Sequence, residues 1–275
     1  MNPTHIQTLV NSRQQLTMKV ISLLITVSVL TAGTPIKEQE RVSGGIALSA
    51  AVPHLVSITI DGQHICGGFI YSSSWIVTAA SCVNGVPPSQ VKVVVAQVSL
   101  IQQDIDEQVL SVFKISVYEG YEPDTKLHDI AMLQTASTIP FGPRVNFIRY
   151  EEAEEVGGTV VNLAGWGATT VGGTPSTKLR EITVTLPASC TGTYTAEEFT
   201  PNYMLCAGGS PADVGSPCQY DEGSPLIQTI GTTSYAVGIM SKNQGCGAGF
   251  APTIYTRLSA YYAWINKIGG LQPVL

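Results

Sequence analysis

The chain has 275 residues, of which 44% are hydrophobic and 12% charged, and it contains 27 Gly and 16 Pro. This composition favours short strands joined by tight turns, and the length allows one large all-β domain or two smaller ones. The net charge is −6 without a Lys- or Arg-rich run, which argues against a nucleic-acid partner and an anionic membrane surface. The densest charge, EEAEE at residues 151–155, is interpreted as a solvated acidic loop, with a cation or partner site as the alternative.

Residues 18–33 have the pattern of a signal peptide. Met18 and Lys19 precede an apolar run over residues 20–30, and three small residues follow it. An apolar run of about eleven residues is too short to cross a bilayer roughly 30 Å thick as a helix. The sequence therefore predicts a secreted, soluble mature chain. Residues 1–17, which precede the signal peptide, are interpreted as an upstream extension or a mis-assigned start.

Secretion makes the six cysteines informative, because an even number in an oxidising compartment indicates disulfides. The count alone leaves the pairing open. A zinc site is the rival interpretation, but the sequence has no Cys-x-x-Cys pair and its four His residues are scattered. We therefore expect no metal and no cofactor.

Hydrophobic patterning predicts strands and one helix in the folded part of the chain. The segments VKVVVAQVSL at residues 91–100 and SYAVGIM at 234–240 are rich in β-branched residues, as strands are. The segment LSAYYAWINKIGG at residues 258–270 has apolar spacing near 3.6 and ends in a Gly pair, which predicts a terminal helix.

Ordered motifs along the chain resemble those of chymotrypsin- and trypsin-like serine proteases. They are RVSGG at residues 41–45, HICGG at 64–68, WIVTAASC at 75–82, HDIAML at 128–133, GWG at 165–167, YDEGSPL at 220–226 and IYTRLSAYYAWI at 254–265. The resemblance covers essentially everything after residue 41. It implies an all-β fold of two antiparallel β-barrels with a C-terminal helix over residues 42–275, with the boundary between the barrels near residues 145–155.

The same resemblance implies how the cysteines pair and where the chain matures. The implied disulfides are Cys66–Cys82, Cys190–Cys206 and Cys218–Cys246. A short pro-segment at residues 34–41 would end at an activation junction between Arg41 and Val42, and Asp221 matches the aspartate that pairs with the freed α-amino group. VSGG also suits an uncut lead-in to a strand, and both alternatives stay open.

The catalytic positions of the family are altered in this sequence. Acyl transfer on this scaffold needs a nucleophile, a base, an orienting carboxylate and an oxyanion hole. The resemblance places Asp129 at the orienting carboxylate, Ser81 at the base and Glu222 at the nucleophile. A hydroxyl cannot accept the proton near neutral pH, and a carboxylate is a poor nucleophile toward peptides. Tyr220 replaces an oxyanion-hole glycine, and we expect its bulk to resist the glycine conformation. The chain is therefore predicted not to be an enzyme.

Other residues offer weaker routes to catalysis. His64 matches a buried structural histidine of the family, and we expect His54 on an early strand. His128 adjoins Asp129, but adjacent strand residues point to opposite faces, which predicts a rim position for it. Asp129 and Glu222 are also the type of pair that hydrolyses glycosides, although the sequence carries no signature of a sugar-binding cleft.

The positions that recognise substrate in the family are altered as well. Ser216 lies at the pocket floor, where trypsin-like enzymes have an aspartate, and Thr253 replaces a glycine of the pocket wall. Lys242 and Asn243 replace the Trp-Gly along which a substrate strand lies. Drift after loss of activity is one interpretation. The other is a surface adapted to a protein partner, with Tyr220, Lys242 and Asn243 as candidate binding residues.

Among inactive homologues, the sequence most resembles the glucanase inhibitor proteins of oomycete plant pathogens. Basic antimicrobial homologues do not fit an acidic chain, and the cysteine-rich module of clip-domain homologues is missing. The short leader and the joint loss of base and nucleophile fit the glucanase inhibitors. The resemblance implies a secreted virulence effector whose partner is a plant endo-β-1,3-glucanase. A non-inhibitory binding protein or protease cofactor, and an enzyme with unrecognised chemistry, remain alternatives.

Overall fold

The computed structural model describes residues 45–150, 157–246 and 251–272, and every structural statement below refers to these residues. The signal peptide, the pro-segment, the junction at Arg41 and Val42, and the acidic run at residues 151–155 lie outside the described residues. Those expectations stay predictions.

Within the described ranges the chain forms strands, three short 3-10 helices and one α-helix. The strands are β1 (Ile46–Ala47), β2 (Leu55–Ile60), β3 (Gln63–Ser72), β4 (Trp75–Thr78), β5 (Val91–Val95), β6 (Gln108–Val117), β7 (Ala131–Thr135), β8 (Arg149–Tyr150), β9 (Val160–Gly165), β10 (Arg180–Thr185), β11 (Met204–Ala207), β12 (Pro225–Ile230), β13 (Thr233–Lys242) and β14 (Thr253–Arg257). The 3-10 helices are Ala80–Cys82, Pro88–Gln90 and Leu258–Tyr261, and α1 is Tyr262–Gly269.

Strands β2 to β7 form a closed antiparallel barrel in the order β2-β3-β4-β7-β6-β5. The alternation of apolar and polar residues in β5 matches this closed barrel. Val91, Val93 and Val95 are buried in the barrel core, while Lys92 faces outward and donates to the Ser111 hydroxyl at 2.9 Å. Side chains of a strand point alternately to its two faces, so this pattern fills the barrel interior and turns Lys92 outward.

The second set of strands forms an eight-stranded sheet with the path β1-β10-β9-β12-β13-β14-β11, and β8 pairs in parallel with β13. Its core contains Leu163, Leu226, Val237 and Tyr255, all buried. The prediction of an all-β, chymotrypsin-like fold with a C-terminal helix is confirmed, with one closed barrel and one eight-stranded sheet where two barrels were expected. The boundary near residues 145–155 stays a prediction.

The predicted elements differ from the structure at their ends. The strand expected over residues 91–100 stops at Val95, because Ala96 turns the chain with φ of +58°. The helix expected from residue 258 begins as the 3-10 turn Leu258–Tyr261 and becomes α-helical at Tyr262, and Gly270 ends it with φ of +76°.

A shared apolar cluster joins the barrel, the sheet and the helix. Phe69 and Met132 come from the barrel, Ile239 from the sheet, and Leu258 and Ile265 from the C-terminal segment, and all five are buried together. Burying such side chains is the main favourable contribution to folding. The cluster fixes the barrel against the sheet and so positions the residues between them.

Three disulfides have the pairing that the resemblance implies. They are Cys66–Cys82, Cys190–Cys206 and Cys218–Cys246, with sequence separations of 16, 16 and 28 residues. Closing loops of this length contributes about 3 kcal/mol each in the chain-entropy account.

In the described part of the chain, no helix has the length and apolar character needed to cross a membrane.

Candidate functional site

Three loops bring the family's catalytic positions together between the barrel and the sheet. Ser81 lies in the 3-10 helix that follows β4, Asp129 precedes β7, and Glu222 lies in the turn before β12. The backbone ties the first barrel to this turn, because Gly67 of β3 donates its N–H to the Glu222 carbonyl at 2.8 Å. The positions therefore meet although they are far apart in the sequence.

Asp129 is fully buried and accepts three hydrogen bonds. The Ser81 N–H donates to Oδ1 at 2.7 Å, and the hydroxyls of Ser81 and Ser241 donate to Oδ2 at 3.0 and 2.7 Å. Burial raises the pKa of Asp129, and these hydrogen bonds oppose the rise. The hydroxyl partners are donors without a basic lone pair near neutral pH, so the Asp129 side chain orients no proton acceptor in these contacts.

The Glu222 side chain folds back onto the backbone beside it. Its Oε2 accepts the Tyr220 N–H at 2.7 Å, and its own N–H lies near enough to the carboxylate to lower its pKa. Burial raises the pKa of Glu222, while these N–H groups and the nearby Lys126 ammonium lower it. By the family resemblance these two N–H groups are the oxyanion-hole donors, so a carboxylate of the chain itself occupies the hole.

Tyr220 adopts the backbone conformation that we expected it to resist. Its φ is +77°, in the left-handed region that favours glycine. Such a conformation costs a non-glycine residue about 1–2 kcal/mol. Hydrogen bonds hold both sides of the residue, because its N–H binds Glu222 and its carbonyl accepts His64 Nε2 at 3.0 Å. The expectation that a tyrosine would distort the hole is wrong.

His64 and Ser57 form a buried pair behind this loop. Because His64 Nε2 donates to the Tyr220 carbonyl, Nδ1 accepts from the Ser57 hydroxyl, 2.8 Å away. Burial lowers the pKa of His64 to about 4, against the effect of the Tyr220 hydrogen bond. Ser57 is fully buried and His64 nearly so, which keeps the Ser57 oxygen away from any substrate. The pair supports the loop.

Two further histidines lie among the described residues, and His54 differs from its predicted setting. His54 lies in a turn before β2 rather than on a strand, since Pro53 and His54 form the turn that leads into Leu55. His128 precedes β7 with φ of +56°, so strand alternation does not apply to it. Its Nδ1 and the Tyr261 hydroxyl share a hydrogen bond at 2.8 Å, which directs the ring away from the Asp129 carboxylate.

Two lysines close the edge of the cleft by crossing between its sides. Lys126 Nζ donates to the Ser241 carbonyl at 2.8 Å, and Lys242 Nζ donates to the Thr125 carbonyl at 3.0 Å. Ser241 and Lys242 end β13, along which a substrate strand lies in the family. Backbone carbonyls give such a strand its hydrogen bonds, and Lys126 occupies one of them. The sequence reasoning missed Lys126, whose only signal is its place three residues before Asp129.

Hydrogen bonds cross the primary specificity pocket of the family. Asn243 Nδ2 donates to the Pro217 carbonyl at 2.8 Å, which links the two walls. Ser216 donates to the same carbonyl at 3.2 Å, and Thr253 is buried. These polar groups therefore bind one another in the space that a substrate side chain occupies in other members of the family.

Asp221 is buried beside the GWG motif. It accepts the N–H groups of Gly167 and Cys218 at 2.7 and 3.0 Å. Burial raises its pKa to about 7, and these hydrogen bonds oppose the rise. A Cβ added at Gly165 or Gly167 would collide with the carboxylate, which explains both glycines. Since Val42 lies outside the described residues, the pairing of Asp221 with a new N-terminus stays a prediction.

No group of three or more His, Cys, Asp or Glu side chains in the described ranges is arranged to hold a metal ion.

A cavity of about 210 Å³ lies at the Cys190–Cys206 disulfide, on the far side of β14 from the catalytic positions, and Leu186, Phe199 and Arg257 line it. Its walls bring no nucleophile or base together.

Comparisons with known proteins identify the family to which this fold belongs. The family model described as Trypsin matches residues 42–265. Trypsin-1 of Astacus astacus is 31% identical over 208 residues, covering 74% of this chain and 87% of that protein. Trypsin alpha-4 of Lucilia cuprina is 31% identical over 231 residues, covering 82% and 86%. Chymotrypsin-like elastase family member 1 of Macaca fascicularis is 33% identical over 217 residues, covering 74% and 78%.

Proposed function

Because the chain belongs to the trypsin family of serine proteases, we propose that it is a secreted, inactive member that binds and inhibits a plant endo-β-1,3-glucanase. The observation that carries the loss of catalysis is the Glu222 carboxylate in the oxyanion hole, bonded to the Tyr220 N–H at 2.7 Å. A negative charge there repels the oxyanion that forms during acyl transfer. The same residue leaves the nucleophile position without a hydroxyl.

The missing base supports the same proposal independently. Ser81 and Ser241 donate to Asp129 where an imidazole would be needed, and His64 is buried in another role. The relatives named trypsin and elastase favour peptidase activity by descent. We give more weight to the residues at the centre, because acyl transfer requires a proton acceptor beside the nucleophile.

Secretion rests on two features of the sequence and structure. The apolar run at residues 20–30 follows the pattern of a signal peptide. All six cysteines form disulfides, and such bonds persist in oxidising compartments. A protein that leaves the cell with this scaffold meets extracellular partners.

The glucanase as partner rests on the resemblance to oomycete inhibitors, and the structure suggests which face makes contact. Tyr220, Lys242 and Asn243 all lie on the altered cleft and are partly exposed. Large aromatic and cationic side chains are frequent anchors of protein interfaces. With Lys126 on the Ser241 carbonyl, the partner would meet a closed surface rather than insert a strand.

The test is capture followed by inhibition. The mature protein is immobilised and exposed to plant apoplastic fluid, and retained proteins are identified by mass spectrometry, with an irreversibly inactivated trypsin as the control for the scaffold. We expect an endo-β-1,3-glucanase on the first support alone, and slower laminarin hydrolysis when the purified protein is added. Capture without inhibition would favour a non-inhibitory binding protein, and turnover of peptides or glucans by the protein itself would favour an enzyme.

A further inference from the structure

The turn at residues 218–223 keeps the shape of an oxyanion hole although it lacks the glycine that favours this shape. Tyr220 has φ of +77°, which its side chain disfavours. Two contacts flank it: the His64 Nε2 bond to its carbonyl and the Glu222 Oε2 bond to its N–H. His64 matches a structural histidine of the family, whereas Glu222 stands where the family has its nucleophile.

Glu222 is well placed to stabilise this turn. Its backbone is fixed, because its carbonyl accepts the Gly67 N–H at 2.8 Å. Neighbouring backbone N–H groups that converge on one point form a concave anion site, and here the N–H groups of Tyr220 and Glu222 converge on one carboxylate. Charge-assisted hydrogen bonds of this kind are about twice as strong as neutral ones.

One cation and two anions surround the Glu222 carboxylate. The Lys126 ammonium attracts the Glu222 carboxylate, whereas Asp129 and Asp221 repel it. Lys126 is held at the cleft by its bond to the Ser241 carbonyl. The carboxylate therefore accepts the Tyr220 N–H and has the Glu222 N–H and one cation nearby.

We propose that the Glu222 carboxylate is a built-in ligand of the oxyanion hole and the positioning group that holds Tyr220 in its left-handed conformation. Truncating Glu222 then leaves a site for a small monocarboxylate, of which acetate is the simplest. This inference goes beyond glucanase inhibition and does not depend on it.

The first test is rescue of Glu222→Ala by acetate. The thermal unfolding midpoint and the backbone amide resonance of Tyr220 are measured in acetate and in chloride of equal ionic strength. We expect acetate in large excess to raise the midpoint of the variant by about 2–4 °C and to return the Tyr220 resonance toward its wild-type position. The wild type should respond equally to the two salts.

The matched control is Glu198→Ala. Glu198 is an exposed carboxylate that also accepts a backbone N–H, from Thr195 at 3.0 Å. Acetate should not change the midpoint of this variant. An equal response in both variants, or a Tyr220 resonance that ignores the loss of Glu222, would overturn the proposal.

A second comparison covers the case in which Glu222→Ala does not fold. Glu222→Gln keeps the size and an acceptor oxygen but removes the charge, so we expect a folded protein with a lower midpoint and a shifted Tyr220 resonance. In a Tyr220→Gly background, where the turn is no longer strained, the same Glu222→Gln change should lower the midpoint by less than half as much. Equal losses in the two backgrounds would show that Glu222 does not act through Tyr220.

Discussion

The Ser81 hydroxyl donates a hydrogen bond to Oδ2 of Asp129 at 3.0 Å. The family's orienting aspartate is thus retained and fully bonded although its partner is no longer a base. Ser81 satisfies a buried carboxylate that would otherwise be costly, so this contact stabilises the fold. The two residues together suggest a centre kept for stability.

We predict that the mature protein does not react with fluorophosphonate probes. The double variant Ser81→His, Glu222→Ser should react, because Asp129 and the Tyr220 N–H are already in place for a histidine and a serine. The Glu222→Ser single variant should label more slowly by roughly 100-fold or more, since general-base catalysis contributes at least that factor. The Ser81→His single variant should not label, because it has no hydroxyl at position 222. In-gel fluorescence with mass spectrometry of the labelled residue measures all four proteins.

Peptide cleavage by the double variant should stay low even where labelling succeeds. Lys126 caps the Ser241 carbonyl and Asn243 donates to the Pro217 carbonyl across the pocket, whereas a small phosphonate needs neither place. Labelling of a serine in the wild type would contradict its inactivity. A folded double variant that does not label would contradict the retained geometry of the hole.

The three disulfides predict the mass of the secreted protein and the loss of stability when one of them is removed. The secreted protein should weigh less than its reduced form by two hydrogens for each of the three bonds. Replacing both Cys190 and Cys206 by alanine should lower the free energy of unfolding by about 3 kcal/mol, measured by denaturant titration. A free thiol or a crossed pairing in the peptide map would contradict the assignment.

Sequence motifs predicted the parts of the site that depend on short, specific patterns. The residues flanking each cysteine identified the disulfides, and the segments around Ser81, Asp129 and Glu222 identified loops that meet in the structure. Such motifs indicate the whole fold because each one resembles a segment whose place is known in a protein family.

The contacts that decide the chemistry were not predictable in the same way. Lys126 and Ser241 are 115 residues apart, and no local pattern relates them. Tyr220 was expected to break the hole from its intrinsic preference, but hydrogen bonds from His64 of β3 and from Glu222 in the same turn override that preference. A backbone conformation held by tertiary contacts cannot be derived from the residue type alone.

Asp221 predicts a dependence of stability on pH. Burial raises its pKa from 3.8 to about 7, so the folded state binds a proton that the unfolded state releases. The contribution of this proton is present below about pH 4 and is lost as the pH rises to about 7. In an uncut Arg41→Ala protein, the free energy of unfolding should therefore fall over this range, relative to the same protein with Asp221→Asn, by a few kcal/mol.

Cleavage at the junction should reduce that loss. A freed α-amino group on Val42 would supply the positive charge that favours ionised Asp221. Protein cut after Arg41 should then show a smaller fall between about pH 4 and pH 7 than the uncut variant. Equal pH profiles for cut and uncut protein would argue against insertion of the new N-terminus beside Asp221.

The proposed docking face predicts which substitutions weaken glucanase inhibition. Tyr220 and Lys242 are both partly exposed residues of the altered cleft, and removing a central anchor of an interface costs about 2 kcal/mol or more. Tyr220→Ala and Lys242→Ala should therefore each raise the inhibition constant for a plant endo-β-1,3-glucanase by roughly thirtyfold. Laminarin hydrolysis measures the constant, and an intact glucanase band shows that the enzyme is inhibited rather than degraded.

Lys92→Ala is the matched control for these variants. Lys92 is also a lysine that donates from Nζ to a neighbouring element, but it lies on β5 of the barrel and bonds the Ser111 hydroxyl. Its removal should leave the inhibition constant unchanged, because β5 does not border the cleft. Wild-type inhibition by Tyr220→Ala and Lys242→Ala would place the partner on another surface. A loss in all three variants would instead indicate a general effect on the fold, which their unfolding midpoints would reveal.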